Sequence, residues 1–302
     1  MNFNKETVYF NMKKLFLLCC AIVCTTTIFS QKFLSNGVVY KVLTGTQTVE
    51  VTNPGKPYTG AIIIPDSVNY AGVNYSVAAI GNVAFRNSRS LTAVTIPQSV
   101  RSIGANAFNG CKALRQLVIP NHVTHIGKQA FENCSQLSSV NIPDSLTQIL
   151  EKTFNGCASL ANITIPVGVG EIGQDAFAGC SALAQTQYKG QLSDWCQIKF
   201  GNQYANPISA SHNLYINNTA LTSLTIPDSI TEVKNYAFVG CDALLQIDIP
   251  RHVLHLGESA FAHCTSLVDL SLTDALISVG SQAFEASSTL DTVTLYLSSL
   301  EQ

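Results

Sequence analysis

A glycine-rich stretch, GVGEIG at residues 168–173, is the first candidate for chemistry because it matches the G-x-G-x-x-G pattern of dinucleotide-binding loops. It follows a strand-like run, and an acidic residue, Asp194, stands about twenty residues further on, as in that pattern. A dinucleotide fold also needs a long helix after the glycines and a second parallel strand unit, and the sequence shows neither. We therefore expect no dinucleotide site and no cofactor.

Two histidine pairs, H-x-x-H at residues 122–125 and 252–255, are candidate metal ligands. Catalytic zinc sites take a third protein ligand, and the H-E-x-x-H motif adds a glutamate base. Neither pair contains that glutamate, and both pairs fall at the same place in a repeated sequence unit. We interpret them as surface imidazoles and expect no metal site.

Six cysteines also recur at one place in that unit, three residues after a phenylalanine. Equivalent positions in neighbouring coils of a repeat protein lie about 4.8 Å apart, the strand spacing. The Cβ atoms of a disulfide lie nearer to each other, at about 3.8 Å. We predict a ladder of buried free thiols, with occasional pairing as the alternative, at Cys111, Cys134, Cys157, Cys180, Cys241 and Cys264.

Nucleophilic and nucleic-acid chemistry have little support in the sequence. There is no G-x-S-x-G nucleophile elbow, and the serines are scattered over outward positions. Charged residues make up 12% of the 302 residues, and 17 basic against 19 acidic residues leave a net charge of -2. This balance provides no basic surface for a nucleic acid. We expect a non-enzymatic protein with no catalytic residues and no nucleic-acid partner.

A period of 23 residues organises the chain after residue 80. The unit reads L-x-x-V-x-I-P-x-x-V-x-x-I-G-x-x-A-F-x-x-C-x-x, with a 61-residue interruption between its fifth and sixth phenylalanines. Its phenylalanines are Phe85, Phe108, Phe131, Phe154 and Phe177, then Phe238, Phe261 and Phe284.

Each unit predicts one short strand and one tight turn. The alternation in Val94–Thr95–Ile96 is typical of a strand, and Pro97 ends it because proline cannot donate to a ladder. Residues 107–114 can form a helical or 3₁₀ turn. A single unit buries too few side chains to offset its ordering entropy, so units must stack into a leucine-rich-repeat-type solenoid of parallel strands.

The glycine that follows the inward isoleucine varies between units. Gly104 has Leu150 and Lys234 as its counterparts in two other units. A left-handed backbone would penalise both replacements, so we expect an ordinary backbone conformation there.

The unit, read in residues 91–111 and 114–134, resembles the BspA-like leucine-rich repeat, and the resemblance covers about residues 62–297. It implies a right-handed solenoid on an exported or surface protein. Members of that family are associated with adhesion to host matrix proteins and to other microbial cells. The segments 188–200 and 212–216 are similar to an irregular double coil of the family, which has no common catalytic residues to carry over.

The chain is expected to have three parts. Within residues 1–30, Lys13 and Lys14 precede an apolar run, and a small residue, Ser30, stands before the expected cut, which is typical of a secretory signal. Residues 31–80 lack the period and carry turn signals such as Ala71–Gly72, which predicts a β-hairpin cap. Residues 81–302 form the solenoid, with an irregular double-coil insert at about 184–220. The protein would then be secreted or at the cell surface, or periplasmic, with no membrane insertion after signal removal.

The last strand, at residues 292–297, is expected to leave one edge unpaired. An uncovered edge recruits another strand. Self-association through this C-terminal edge is therefore possible.

The insert is the expected ligand surface. Outward positions flanking the repeat strands are small and nearly uncharged, and they carry none of the Trp, Tyr or Arg residues that anchor interfaces. We interpret the single tryptophan, Trp195, as a core plug, with an exposed ligand platform as the alternative. Our candidate ligand-binding residues, with the tyrosines expected to be exposed, are Tyr188, Tyr204, Tyr215 and His212.

These features indicate an exported, non-enzymatic protein that binds an extracellular protein or glycan, for adhesion to or recognition of a host or microbial surface. A glycan-binding module that uses the insert aromatics is one alternative. A structural spacer or assembly module is the other.

Overall fold

The repeated unit forms one coil of a solenoid in the computed structural model, which describes residues 31–297. The predicted signal at residues 1–30 and the last five residues, 298–302, lie outside the described part of the chain. Each regular coil contains two short strands and a tight arc around its phenylalanine. We call these parts the first strand row, the second strand row and the Phe arcs.

The first strand row contains the strand that the sequence predicted. Its strands pair in parallel with a shift of one repeat, as in Leu117 with Val140 and Leu224 with Ile247. Before the insert the row comprises β4 (Thr59–Ile63), β7 (Ser90–Thr95), β9 (Gln116–Leu117), β11 (Ser139–Val140), β13 (Asn162–Ile165) and β15 (Gln185–Tyr188). From the insert onwards it comprises β17 (Leu214–Ile216), β19 (Ser223–Thr225), β21 (Gln246–Asp248), β23 (Asp269–Thr273) and β25 (Thr292–Tyr296). The short strand β18 (Thr219–Ala220) is outside the row, since it pairs with β17 antiparallel.

The second strand row is a ladder that the sequence did not predict. Each coil adds a strand of two residues at the inward isoleucine, and Ile126 pairs in parallel with Ile103. The row comprises β8 (Ser102–Ile103), β10 (His125–Ile126), β12 (Gln148–Ile149), β14 (Glu171–Ile172), β16 (Lys199–Phe200), β20 (Glu232–Val233), β22 (His255–Leu256) and β24 (Ser278–Val279).

In the Phe arcs, successive N–H groups donate alternately to the next coil and within their own coil. The sequence had predicted a helical or 3₁₀ turn there. In the second arc the N–H groups of Asn106, Phe108 and Gly110 donate to carbonyl oxygens of the next coil at 3.0, 2.7 and 2.8 Å. The intervening N–H groups of Ala107, Asn109 and Cys111 donate to the residue three positions back within the same coil. Alternation requires two left-handed residues per arc, here Asn106 at φ 56° and Gly110 at φ 75°.

Gly104 has an ordinary backbone, as predicted from its replacements, because its φ lies outside the left-handed region. Glycine fits this position because the coils approach closely there: a Cβ on Gly104 would lie 2.5 Å from the backbone nitrogen of Asn82 in the preceding coil. The repeat glycine with a left-handed backbone is instead the one two residues after the phenylalanine.

Two ladders, one of phenylalanines and one of cysteines, run along the solenoid inside a core that also contains the inward Leu, Ile and Val residues. The first five repeat phenylalanine rings stack with centroids 4.9–5.5 Å apart and interplanar angles of 10–16°. The cysteines are buried and free, as predicted. Five of the six ladder thiols also donate a hydrogen bond to a carbonyl oxygen, as when Cys134 Sγ donates to the carbonyl oxygen of Phe108 at 3.1 Å. Ser287 repeats this bond to Phe261 in the last coil at 3.3 Å.

Strands of the N-terminal segment cover the first coil. The order is β1 (Lys32–Ser35), β2 (Val38–Val42) and β3 (Thr48–Val51), antiparallel, then β6 (Val73–Ile80), which pairs with β3 in parallel. A hairpin joins β5 (Ser67–Tyr70) to β6 through Ala71 and Gly72. Tyr58 packs on Phe85 with ring centroids 4.9 Å apart, which extends the core into this segment.

The opposite end of the described stack is open. All five residues of β25 are exposed, and β25 has a strand partner on one side only. Self-association through this edge stays a prediction. Within residues 31–297, no helix is long and apolar enough to cross a membrane.

Candidate functional site

Residues 184–220, which we call the irregular coil, interrupt the regular stack. After β15 the chain forms α1 (Leu192–Gln197), β16, a 3₁₀ turn at Gln203–Ala205 and α2 (Ile208–Ser211). It then forms the hairpin of β17 and β18, which turns at Asn217 and Asn218. Both asparagines have left-handed backbones, as the two central residues of a type I′ hairpin turn require.

Trp195 is the core plug of the irregular coil. It is 0% exposed, and it packs against Tyr188 and Phe200 with ring centroids 5.2 and 5.6 Å apart. Its indole Nε1–H donates to the carbonyl oxygen of Ala237 at 2.8 Å. Trp195 therefore links the irregular coil to the regular coil that follows it.

Tyr188 is buried, and the prediction that it is exposed is wrong. It is 1% exposed because β15 keeps the repeat register and places Tyr188 opposite the inward Ile165. Burial, followed by the nearby charge of Asp194, raises the pKa of Tyr188 to about 12. The 23-residue spacing from Ile165 was the sequence signal for burial.

Tyr215 lies apart from the other candidates. It is half-buried on β17, where it pairs with Gln187 on one side and Ala220 on the other. It therefore belongs to the first strand row.

Tyr204 and His212 come together in one cleft of about 300 Å³ between the irregular coil and the Phe arcs that follow. Tyr204 is 49% exposed at the mouth of this cleft. His212 ends α2 in a left-handed conformation, and its Nδ1 lies 3.3 Å from Oδ2 of Asp242. Oγ1 of Thr265, one coil further on, donates to the other carboxylate oxygen of Asp242 at 2.8 Å. We call this the junction cleft.

The junction cleft combines three kinds of recognition group. The Tyr204 ring offers a stacking surface, Asp242 accepts hydrogen bonds, and imidazoles of His212 and His263 line the walls. Such a set suits binding of a polar ligand with apolar faces. In the described range, no group of three or more His, Cys, Asp or Glu side chains is placed to hold a metal ion.

The sequence matches a known repeat family over most of its length. Residues 73–206 and 209–302 match the BspA type leucine rich repeat region. The chain belongs to this family. No curated protein matches it.

Several solved structures resemble this BspA-type chain. The T. pallidum leucine rich repeat protein is 24% identical, with 78% of this chain and 91% of that chain covered, at a TM-score of 0.50. A leucine rich cell surface protein from Faecalibacterium prausnitzii is 20% identical over 91% of this chain and 97% of its own, at 0.45. The pneumococcal vaccine antigen PcpA is 15% identical over 91% and 90%, at 0.46. The family match and the T. pallidum structure confirm the predicted solenoid class.

Three residues of the junction cleft escaped the sequence analysis of this BspA-type chain. Asp242, His263 and Thr265 occupy outward positions of regular repeats, which vary from coil to coil. Their proximity to Tyr204 depends on how α2 docks, with the Cα of Ser209 only 3.2 Å from where a Cβ on Gly240 would lie. Only the loss of the period at residue 184 indicated this region.

A second cleft of about 500 Å³ lies at the hairpin of β17 and β18. Its lining is polar, and Lys189 there pairs with Asp144 at 2.8 Å. The other polar lining residues are Thr164, Gln187, Asn217 and Asn218.

Proposed function

We propose that this BspA-type protein is exported and binds a macromolecule outside the cytoplasm, without catalysing a reaction. The junction cleft carries this proposal, because there the two exposed candidate residues, Tyr204 and His212, share one concave surface. Interface energy concentrates in a few aromatic or charged anchors, and the small polar side chains at the outward positions of the regular repeats in the first strand row supply none. The signal-like residues 1–30 and the family's association with adhesion support an extracellular ligand.

Binding to purified matrix proteins and to a glycan array tests this proposal. Tyr204→Ala and His212→Ala should each weaken binding of whichever probe the protein takes, by about tenfold or more. Tyr215→Ala should have a smaller effect, since Tyr215 lies outside the cleft. Tyr296→Ala is the matched control, because Tyr296 is equally exposed, at 57%, but lies in the last coil. If Thr95→Arg or Asn141→Arg abolishes binding while the cleft variants bind normally, the ligand lies on the first strand row.

A glycan ligand is the second candidate. The polar cleft at Thr164, Gln187, Lys189, Asn217 and Asn218 favours it, because amides, a hydroxyl and an ammonium group suit a hydroxyl-rich ligand. Asn218→Ala should then reduce array binding and leave any matrix-protein binding unchanged. A protein that binds neither probe would instead act as a spacer.

A further inference from the structure

Charge is separated along the solenoid. Residues 81–161 contain 7 basic and 3 acidic residues, a net charge of +4. Residues 221–297 contain 2 basic and 9 acidic residues, a net charge of -7. The chain's overall charge of -2 hides this polarity.

Charges of both signs lie on one face, where the Phe arcs meet the first strand row. We call this the corner face. At its N-terminal end are Arg89, Lys112 and Arg115, and at its C-terminal end are Asp269 and Asp291. Arg115 and Asp291 occupy equivalent positions, each directly after the inward leucine of its repeat. These five side chains are exposed, and none forms an ion pair within residues 31–297.

Small, uncharged residues occupy the middle of the corner face, so another surface can approach closely. In the three coils after Arg115, the repeat positions of Lys112 and Arg115 carry only alanine and serine. They are Ser135, Ser138, Ala158, Ala161, Ser181 and Ala184. Apolar surface is added on the acidic side by Leu245 and Val268, which are 51% and 40% exposed.

A face that is basic at one end and acidic at the other is self-complementary under a two-fold axis. Two-fold dimers use the same patch on both subunits. An axis perpendicular to the solenoid, through the neutral middle, places the basic end of each copy on the acidic end of its partner. The centres of the two ends lie roughly 34 Å apart, because about seven coils separate them at about 4.8 Å each. The geometry points to side-by-side, antiparallel association of two copies through the corner face.

The charge pattern also decides how strong this association is. Exposed ion pairs contribute about 0.2–1 kcal/mol each, and salt screens them. The small net charge provides little repulsion between copies. The dimer is therefore weak and forms at low salt.

Sedimentation velocity with charge-reversed variants tests this proposal. The purified protein should form dimers at about 50 mM salt and monomers at about 500 mM salt. The variant Arg89→Glu/Lys112→Glu/Arg115→Glu and the variant Asp269→Lys/Asp291→Lys should each raise the dimer dissociation constant by tenfold or more, on the scale of several lost pairs. An equimolar mixture of the two variants should dimerise again, because both contacts in the mixed dimer join opposite charges.

The matched control reverses charges away from the corner face, in Lys128→Glu/Glu258→Lys, and should leave the dimer intact. An equal loss in this control would overturn the proposal, because charge reversal anywhere on the surface would then have the same effect. Loss of the dimer in Val293→Lys alone would place the interface at the β25 edge and refute the corner face. A monomer at low salt and high concentration also refutes it. If heparin then binds, and the three basic substitutions prevent this, the basic end serves a polyanion instead.

Discussion

The regular coils from Phe85 to Phe177 and the irregular coil fill the same core by different means. In the regular coils each ring stacks on equivalent rings, and each thiol donates to the carbonyl oxygen of the phenylalanine in the preceding coil. In the irregular coil one indole, Trp195, meets its aromatic neighbours at 51° and 69° and makes a single hydrogen bond to Ala237.

This difference shows what repetition gives and what it prevents. A regular coil shares its core contacts with two equivalent neighbours, but the repeat leaves small, uniform side chains on its surface. The irregular coil depends on one unrepeated residue and presents Tyr204 and His212 to solvent. The candidate site lies where the repetition fails.

The largest expected effect tests the thiol ladder, through alkaline pH. Burial raises the pKa of Cys111, Cys180 and Cys241 to about 12 from the usual 9.0. Each neutral buried thiol therefore makes its full contribution to the free energy of unfolding below pH 9. This contribution is lost as the pH rises from 9 towards 12, since the thiol ionises first in the unfolded chain. At pH 10 the loss is about 1.4 kcal/mol per thiol, in the free energy of unfolding measured with urea. Cys180→Ala should lower by one the number of protons released on unfolding above pH 9, which is read from the slope of the unfolding free energy against pH. An unchanged slope would contradict the buried thiol ladder.

Trp195→Ala tests whether the irregular coil depends on one residue. Removing a fully buried indole leaves a cavity and takes from the Ala237 carbonyl one of its two side-chain hydrogen bonds, the other coming from Asn206. We therefore expect a loss of about 3–5 kcal/mol in the free energy of unfolding measured with urea. Tyr204→Ala, in the same coil but half-exposed, should lose less than about 1 kcal/mol. Equal losses in both variants would mean that Trp195 is not the plug.

Phe131→Leu tests how far repetition protects a regular coil. It removes two stacked contacts, to Phe108 and Phe154, while keeping an apolar side chain of similar size. We expect a loss of about 1–3 kcal/mol in the same assay, smaller than for Trp195→Ala. A loss larger than that of Trp195→Ala would reverse the comparison between the two regions.

Tyr188→Phe should have the smallest effect. The hydroxyl of Tyr188 is buried and has no hydrogen-bond partner among the described residues, so its removal should leave stability unchanged or raise it by up to about 1 kcal/mol. Tyr58→Phe is the control, because its hydroxyl accepts from the N–H of Val39 and donates to the carbonyl of Thr52. The control should lose about 1–2 kcal/mol. A comparable loss at Tyr188 would indicate a partner for its hydroxyl.

The sequence predicted the regular coils because every inward position recurs. The strand at Val94–Ile96, the buried Phe108 and the buried Cys111 all follow from one 23-residue pattern. The second strand row could not be read in the same way, since alternation needs more than the two residues of Ser102–Ile103. The left-handed residues were hidden too, because Lys152 and other non-glycine residues occupy such positions.

The irregular coil was harder to predict because its residues have no counterpart in other units. Trp195 was placed in the core by its size alone. Tyr188 was misplaced, although β15 still follows the repeat register. The junction cleft depends on Asp242 and Thr265 from later coils, so only the three-dimensional docking of α2 brings it together.

The alternating donors of the Phe arcs restrict how the length of this protein can change. Every second N–H of an arc meets a carbonyl 22 residues ahead, as Asn106 meets Lys128 and Gln129 meets Glu151. Removing 23 consecutive residues between Phe85 and Phe154 rejoins equivalent positions and keeps every donor opposite an acceptor. Removing 22 residues shifts the alternation by one, so inward side chains turn outward and N–H groups face N–H groups. Gain or loss of sequence in the regular coils is therefore tolerated in whole coils, and the irregular coil is where a length that is not a multiple of 23 can be absorbed.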